Sequence, residues 1–150
     1  MSAAVTNSTC LIGLERIQQL DILPQVFDPI TIPPAVQSEV GISAPWLTIQ
    51  APQNRGLVQS LQTQIDEGES EAIALAMELG NVIVILDDLS ARRVAHQLRL
   101  KVIGTAGMLL RAKQQGIITE VKPILEALTT ANFRISDAII RKAIQLAGEE

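Results

Sequence analysis

The chain is poor in the residues most often recruited for chemistry. It has one cysteine, one histidine and no tyrosine, and its aromatics are Phe27, Trp46 and Phe133 alone. A single thiol, Cys10, excludes an intramolecular disulfide and suits a reducing cytoplasm. Its apolar neighbours Leu11, Ile12 and Leu14 predict a buried structural cysteine. The lack of a CxxC and of a histidine cluster argues against a zinc centre. His96 lies among Arg92, Arg93 and Arg99, where a solvated ring is expected. Three aromatics provide no platform for stacking bases. Gly104-Thr105-Ala106-Gly107 lacks the glycine spacing and the lysine of a phosphate loop, and no nucleophile elbow supports Ser-His-Asp chemistry. No apolar run approaches a membrane span, and Met1-Ser2-Ala3-Ala4-Val5 lacks the start of a signal peptide. Positive charge is short as well. A net charge of −4 and a pI near 5.0 argue against a broad basic surface for nucleic acid. They leave room for a small acidic site that meets nucleic acid through a metal ion.

What the chain does have is a core. Hydrophobic residues make up 47% of its 150 residues and charged residues 19%, the balance of a packed protein. The most telling segment is Asn81-Val82-Ile83-Val84-Ile85-Leu86-Asp87-Asp88. A short apolar run reads as a strand buried on both faces, the habit of a parallel sheet covered by helices. Ligand sites in such sheets lie beyond the carboxyl ends of the strands, which is where Asp87 and Asp88 fall. Two acids there suit a hard cation such as Mg²⁺. One of them can equally cap the next helix.

The remaining segments alternate. Ala3–Thr6 is a short first strand, and Ser8 or Thr9 can cap a helix to about Gln19. Ile30–Ile32 is a second strand, and Pro34 opens a helix through Val40 and Gly41. Trp46–Ile49 is a brief strand, followed by a helix marked by Leu57, Val58, Leu61 and Ile65. Ala72–Leu79 is a nearly all-apolar helix closed by Gly80. After Asp88 come a helix (Ala91 to Leu98, with Arg92 and Arg93 outward), the strand Lys101–Ile103 and a helix from Gly104-Thr105 to near Gly116. Pro123 opens another helix. Ser136 caps the last, whose inner face is Ile139, Ile140, Ala143, Ile144 and Ala147. Alternating strands and helices predict an α/β fold of three α/β/α layers with a mostly parallel central sheet. No linker interrupts it, so residues 1–150 read as one domain, with a core over 1–116 and a helical extension over 117–150.

If the sheet is parallel, Asn7, Asp87, Asp88 and Gly104-Thr105 all follow strand ends on one edge. Glu39 stands on the helix after the second strand, and Glu69 and Glu71 open the buried helix. Each has a plain structural explanation: acids in a first turn complement the helix dipole, and Glu39 is an ordinary surface position. Jointly, carboxylates around one edge repel unless a cation or protons neutralise them.

Four motifs in order carry a family resemblance. Val5-Thr6-Asn7-Ser8-Thr9-Cys10-Leu11-Ile12 resembles the opening of PIN-domain proteins, where a strand ends in an acid followed by Ser or Thr. Ile32-Pro33-Pro34-Ala35-Val36-Gln37-Ser38-Glu39-Val40 resembles the second motif, which ends in a metal-site Glu. Gly68-Glu69-Ser70-Glu71-Ala72-Ile73-Ala74-Leu75-Ala76 resembles the third, and Leu86-Asp87-Asp88 the fourth. The match extends over about residues 3 to 116 and is nearest a subgroup of short prokaryotic PIN-like proteins, many suspected as toxins of toxin–antitoxin pairs. The resemblance implies a parallel-sheet fold and Mg²⁺- or Mn²⁺-dependent RNA cleavage. Carried over by motif, Asn7, Glu39, Glu71 and Asp88 are the catalytic positions. Glu39, Glu71, Asp87 and Asp88 are the metal ligands, with Asp87 and Asp88 interchangeable at the strand end, and the Thr9 hydroxyl supports the site. The departure is Asn7, where active members carry Asp: a neutral amide removes one negative charge beside the cation. Leu86 and Cys10 replace the usual Thr and Pro.

Three readings follow. The first is a metal-dependent ribonuclease in the cytoplasm, with a toxin role, an antitoxin protein as partner and a homodimer as its further expectations. The second, favoured by Asn7, is a weakened or inactive PIN-like module that binds RNA or a protein partner. The third is a small-molecule enzyme on a doubly wound sheet, which lacks a recognisable cofactor loop.

Overall fold

The computed structural model describes residues 1–150. β1 (Ser2–Thr6) is the middle strand of a five-stranded sheet. It is flanked by β2 (Phe27–Ile32) and β4 (Val82–Ile85), with β3 (Leu47–Ile49) and β5 (Lys101–Ile103) at the edges. Every neighbouring pair is parallel. The helices are α1 (Ser8–Arg16), α2 (Ile22–Val26), α3 (Pro34–Val40), α4 (Arg55–Leu61), α5 (Glu67–Leu79), α6 (Leu89–Gln97), α7 (Thr105–Gln114), α8 (Lys122–Thr130) and α9 (Asp137–Leu146). The three-layer arrangement expected from the alternation is therefore present, with a sheet that is parallel throughout. No helix is long and apolar enough to cross a membrane.

Side-chain alternation along β4 divides the core in two. Ile83 and Ile85 pack with Leu11 and Leu14 of α1 and Met108 and Leu109 of α7. Val82 and Val84 face the other way, onto Ile73 and Leu75 of α5 and Ala91 and Val94 of α6. Covering both faces removes Ile85 and Val84 from water entirely, worth about 1.5–3 kcal/mol for each such side chain. This is why the strand reads as a continuous apolar run rather than an alternating one.

Several elements differ from the sequence reading. Asn7, not Ser8 or Thr9, caps α1: its side-chain oxygen accepts from the Cys10 N–H at 3.0 Å. The five residues of α2 have no side-chain cap and are held by burial of Ile22, Leu23 and Val26. β2 begins at Phe27 and tolerates Pro29 where the β1–β2 register shifts, the irregular position at which a missing N–H does least harm. In α9, Ile139 is exposed, so the inner face is Ile140, Ala143, Ile144 and Ala147. Arg92 is not an outward residue of α6; it is half-buried, and its Nη1 donates to the Leu86 carbonyl at 2.9 Å.

Candidate functional site

The strand order fixes where a site can form. From β1 the chain turns into α1 on one face; from β4 it turns into α6 on the other. Two adjacent parallel strands whose connections leave in opposite directions open a crevice at their carboxyl ends, the usual ligand position in such sheets. Asn7 follows β1 and Asp87 lies just past β4. The ladder carries them together: the Asn7 N–H donates to the Ile85 carbonyl at 3.1 Å, and Asn7 Nδ2 donates to Asp87 Oδ2 at 3.3 Å.

Asp87 is oriented by Thr105, the fully buried first residue of α7. The Thr105 N–H donates to Asp87 Oδ1 at 2.8 Å and its hydroxyl donates to Oδ2 at 2.7 Å. The carboxylate thus completes the start of a helix that has no side-chain cap of its own. Gly104 makes room: a Cβ there would lie 3.2 Å from Asp87 Oδ1 and 3.0 Å from Arg92 Nη1. Cys10 lies beneath, and burial, with the Asp87 charge second, pushes its thiol up to about 12. It is a neutral packing residue at any ordinary pH.

Asp88 has a different duty. Its Oδ2 accepts from the Ala91 N–H at 3.0 Å and caps α6, while the residue stays exposed. Of the two strand-end acids, Asp87 is the one that touches Asn7.

Glu39 is exposed on the last turn of α3, and the Ser8 hydroxyl donates to its Oε2 at 3.0 Å. Its carboxylate lies against the first turn of α5, where a Cβ at Gly68 would collide with it. Glu39, Ser38, Asp66 and Glu67 line an open groove of about 520 Å³ between the two helices. Glu71 is nearly covered and sits one turn inside α5, beyond the first turn where a dipole argument applies. Its Oε1 accepts from the Ala35 N–H at 3.1 Å, capping α3 from outside. Its Oε2 pairs with Arg55 Nη1 at 3.0 Å.

Asn7, Asp87, Asp88, Glu39 and Glu71 therefore all lie on the carboxyl edge of the sheet. The structure brings Asn7 to Asp87 and brings Glu39 to Ser8, while Glu71 and Asp88 are each spent on a helix start. Thr9 is exposed, and the hydroxyls that bond these carboxylates are those of Ser8 and Thr105. Glu69 joins the edge. Burial first, then the charges of Asp66 and Asp88, push its carboxyl up to about 7. Asp66 and Glu69 form a reciprocal capping box on α5, a pattern visible in the sequence as Asp-x-x-Glu. Nothing in the sequence marked Arg55.

The donors suit a divalent cation in kind, since all are oxygens and Mg²⁺ takes oxygen. No three His, Cys, Asp or Glu side chains are grouped to hold one ion directly. In number they fit an ion that keeps most of its water and accepts one or two carboxylates, as Mg²⁺ commonly does.

A protein-family model described as PIN domain matches residues 3–149. No curated protein matches the chain.

Proposed function

The chain belongs to the PIN-domain family, and from that premise we propose that it is a Mg²⁺- or Mn²⁺-dependent ribonuclease working at the crevice between β1 and β4. PIN domains are in general metal-dependent nucleases. The observation that carries the reading for this chain is the Asn7–Asp87 contact across that crevice, beside a groove whose acids lack basic partners. Of Asp87, Glu39 and Asp88, one or two would hold the ion directly and the rest through its water, with Glu71 joining when its arginine leaves. When bound, such an ion supplies a water activated for attack on a phosphodiester and offsets charge on the phosphoryl group. The chain's own contribution is positional. Thr105 locks the Asp87 rotamer, Ser8 holds Glu39 over the groove, and the Asn7 amide sits against Asp87 without the repulsion a second carboxylate would bring.

A second reading has its own support. Asp87 accepts three hydrogen bonds from protein groups, so it is satisfied without a cation, as a non-catalytic binding module would require. Single-turnover cleavage of a mixed RNA pool in Mn²⁺ and in chelator separates the two. Mn²⁺-dependent cleavage lost in Glu39→Gln supports the nuclease. No cleavage, with a thermal melt indifferent to Mn²⁺, leaves the binding module. A toxin role adds an antitoxin partner, tested by co-purification with the product of a neighbouring gene. A homodimer would use the apolar residues Ile139 and Leu146 exposed on α9; a monomeric mass at micromolar concentration rejects it.

A further inference from the structure

Resting on the nuclease reading, we infer that Arg55 is the residue that receives the substrate's phosphate, and that in moving to it Arg55 releases Glu71 to the cation. The chain has two ion pairs, and only Arg55–Glu71 lies on the carboxyl edge of the sheet. Its two halves differ in exposure: the Glu71 side chain is 5% exposed and that of Arg55 53%. The guanidinium holds Glu71 through Nη1 alone. A guanidinium has five N–H donors in a planar fork suited to phosphate, so the rest of the fork faces solvent.

The backbone under Arg55 is fastened at several points, its side chain at one, the Glu71 carboxylate. Glu78 accepts from the N–H groups of Gln53 (2.7 and 3.0 Å) and Asn54 (2.7 Å). Asn54 in turn caps α4 by accepting from the Leu57 N–H. Arg55 is the first residue of that helix. It is thus an arm tethered by one bond on a fixed shoulder, at the rim of an acidic edge that would otherwise repel RNA. Arg92, the other arginine on this edge, has its Nη1 bonded to the Leu86 carbonyl and is only half-exposed.

The chemistry sets an order. With no RNA bound, Arg55 is the counter-ion of a nearly buried carboxylate and competes with any metal ion for it. A phosphate offers the guanidinium a bidentate partner. Once Arg55 turns to it, Glu71 keeps only the Ala35 N–H and needs a new positive partner. RNA and cation then bind in mutual support, as any coupling through one shared group must be reciprocal.

Two measurements without turnover test this. Mn²⁺ binding in the absence of RNA is followed by electron paramagnetic resonance. Binding of a labelled single-stranded RNA in chelator is followed by anisotropy across a salt series. Arg55→Gln should bind Mn²⁺ about tenfold more tightly than wild type, because one competing charge is gone. It should bind RNA about threefold more weakly, with a salt slope smaller by roughly one phosphate contact. Glu71→Gln, which frees Arg55, should bind RNA more tightly than wild type. Should Arg55→Gln fail to fold, the RNA arm is read as Arg55→Gln/Glu71→Gln against Glu71→Gln, where no buried carboxylate is left unpaired. Unchanged RNA affinity in either comparison, or weaker Mn²⁺ binding in Arg55→Gln, reduces Arg55 to a structural partner of Glu71 and overturns the inference. Failure of the nuclease reading looks different: wild type then leaves RNA uncut in Mn²⁺, whatever these two affinities do.

Discussion

Asn7→Asp is the most discriminating substitution, because its effect changes sign with the cation. The amide N–H that now faces Asp87 Oδ2 at 3.3 Å becomes a carboxylate oxygen. Two unit charges at that separation in an effective dielectric of about 20 repel by about 5 kcal/mol. The charge is spread over two oxygens on each group, and the pair can share a proton, so about 2–3 kcal/mol of lost stability is the expected net at neutral pH in chelator. The α1 cap itself survives, since Asp caps as well as Asn. For 150 residues that loss corresponds to a fall in Tm of roughly 5–10 °C. The pH dependence follows from the shared proton. The folded pair binds it more tightly than the unfolded chain does, so the penalty is small near pH 4.5 and grows as pH rises toward 8. Mn²⁺ should reverse the order of the melts and, on the nuclease reading, raise RNA cleavage above wild type. The assay is a set of thermal melts of both proteins from pH 4.5 to 8, with chelator and with Mn²⁺. Equal stability of the two in chelator at pH 8 would refute the argument, for it would mean that positions 7 and 87 do not face each other.

Three further outcomes are expected. Thr105→Val removes the 2.7 Å hydroxyl bond to Asp87 from a fully buried site; urea unfolding should show a loss of about 1.5–3 kcal/mol, as for a hydrogen bond to a charged acceptor. Hydrogen bonds from Lys113 and from the N–H groups of Val121 and Lys122 hold the Glu149 carboxyl down at about 2. Its contribution is therefore complete above about pH 4.5 and is lost as pH falls through about 2, so the difference between Glu149→Ala and wild type at pH 6 should shrink steadily as pH is lowered through 2. Glu69, raised to about 7, carries the opposite sign. Wild type should lose stability as pH climbs from about 4.5 through 7, whereas Glu69→Gln, which keeps the capping-box acceptor, should show a flatter profile and be the more stable of the two at pH 8.

Much of the architecture was legible in residue order, for reasons tied to period and punctuation. Val82–Ile85 read as a strand covered on both faces, because a run too short for a helix and apolar at four successive positions leaves no side for water. Ala72–Leu79 read as a buried helix, and it is buried through Ala76, while Met77 and Leu79 on its last turn are exposed. Pro34, Gly80 and Ser136 marked element ends through backbone geometry and capping, which act over a few residues. The Asp66–Glu69 box is equally local, although the sequence reading did not single it out. The same range explains what was misplaced. Nothing in the sequence near Ile22 sets α2 apart, because its stability comes from what it packs on. The orientation of α9, and so the exposure of Ile139, depends on the helices beneath it.

The sequence alone thus determined the α/β class, the approximate strand and helix positions, and the set of acids that follow strand ends. Tertiary structure decided what those acids do. Glu71 and Glu149 serve helix starts more than 25 residues away in sequence, closing α3 and α8 from outside, and Glu78 fastens the turn before α4. Neither strand-end acid announces whether it will cap α6 or turn toward Asn7; the divergence of α1 and α6 from adjacent strands sent Asp88 to the first task and Asp87 to the second. Arg55 reached the site without any sequence signal. Hydrogen bonds and ion pairs act over a few ångströms of space, and only the packed sheet decides which residues come that close.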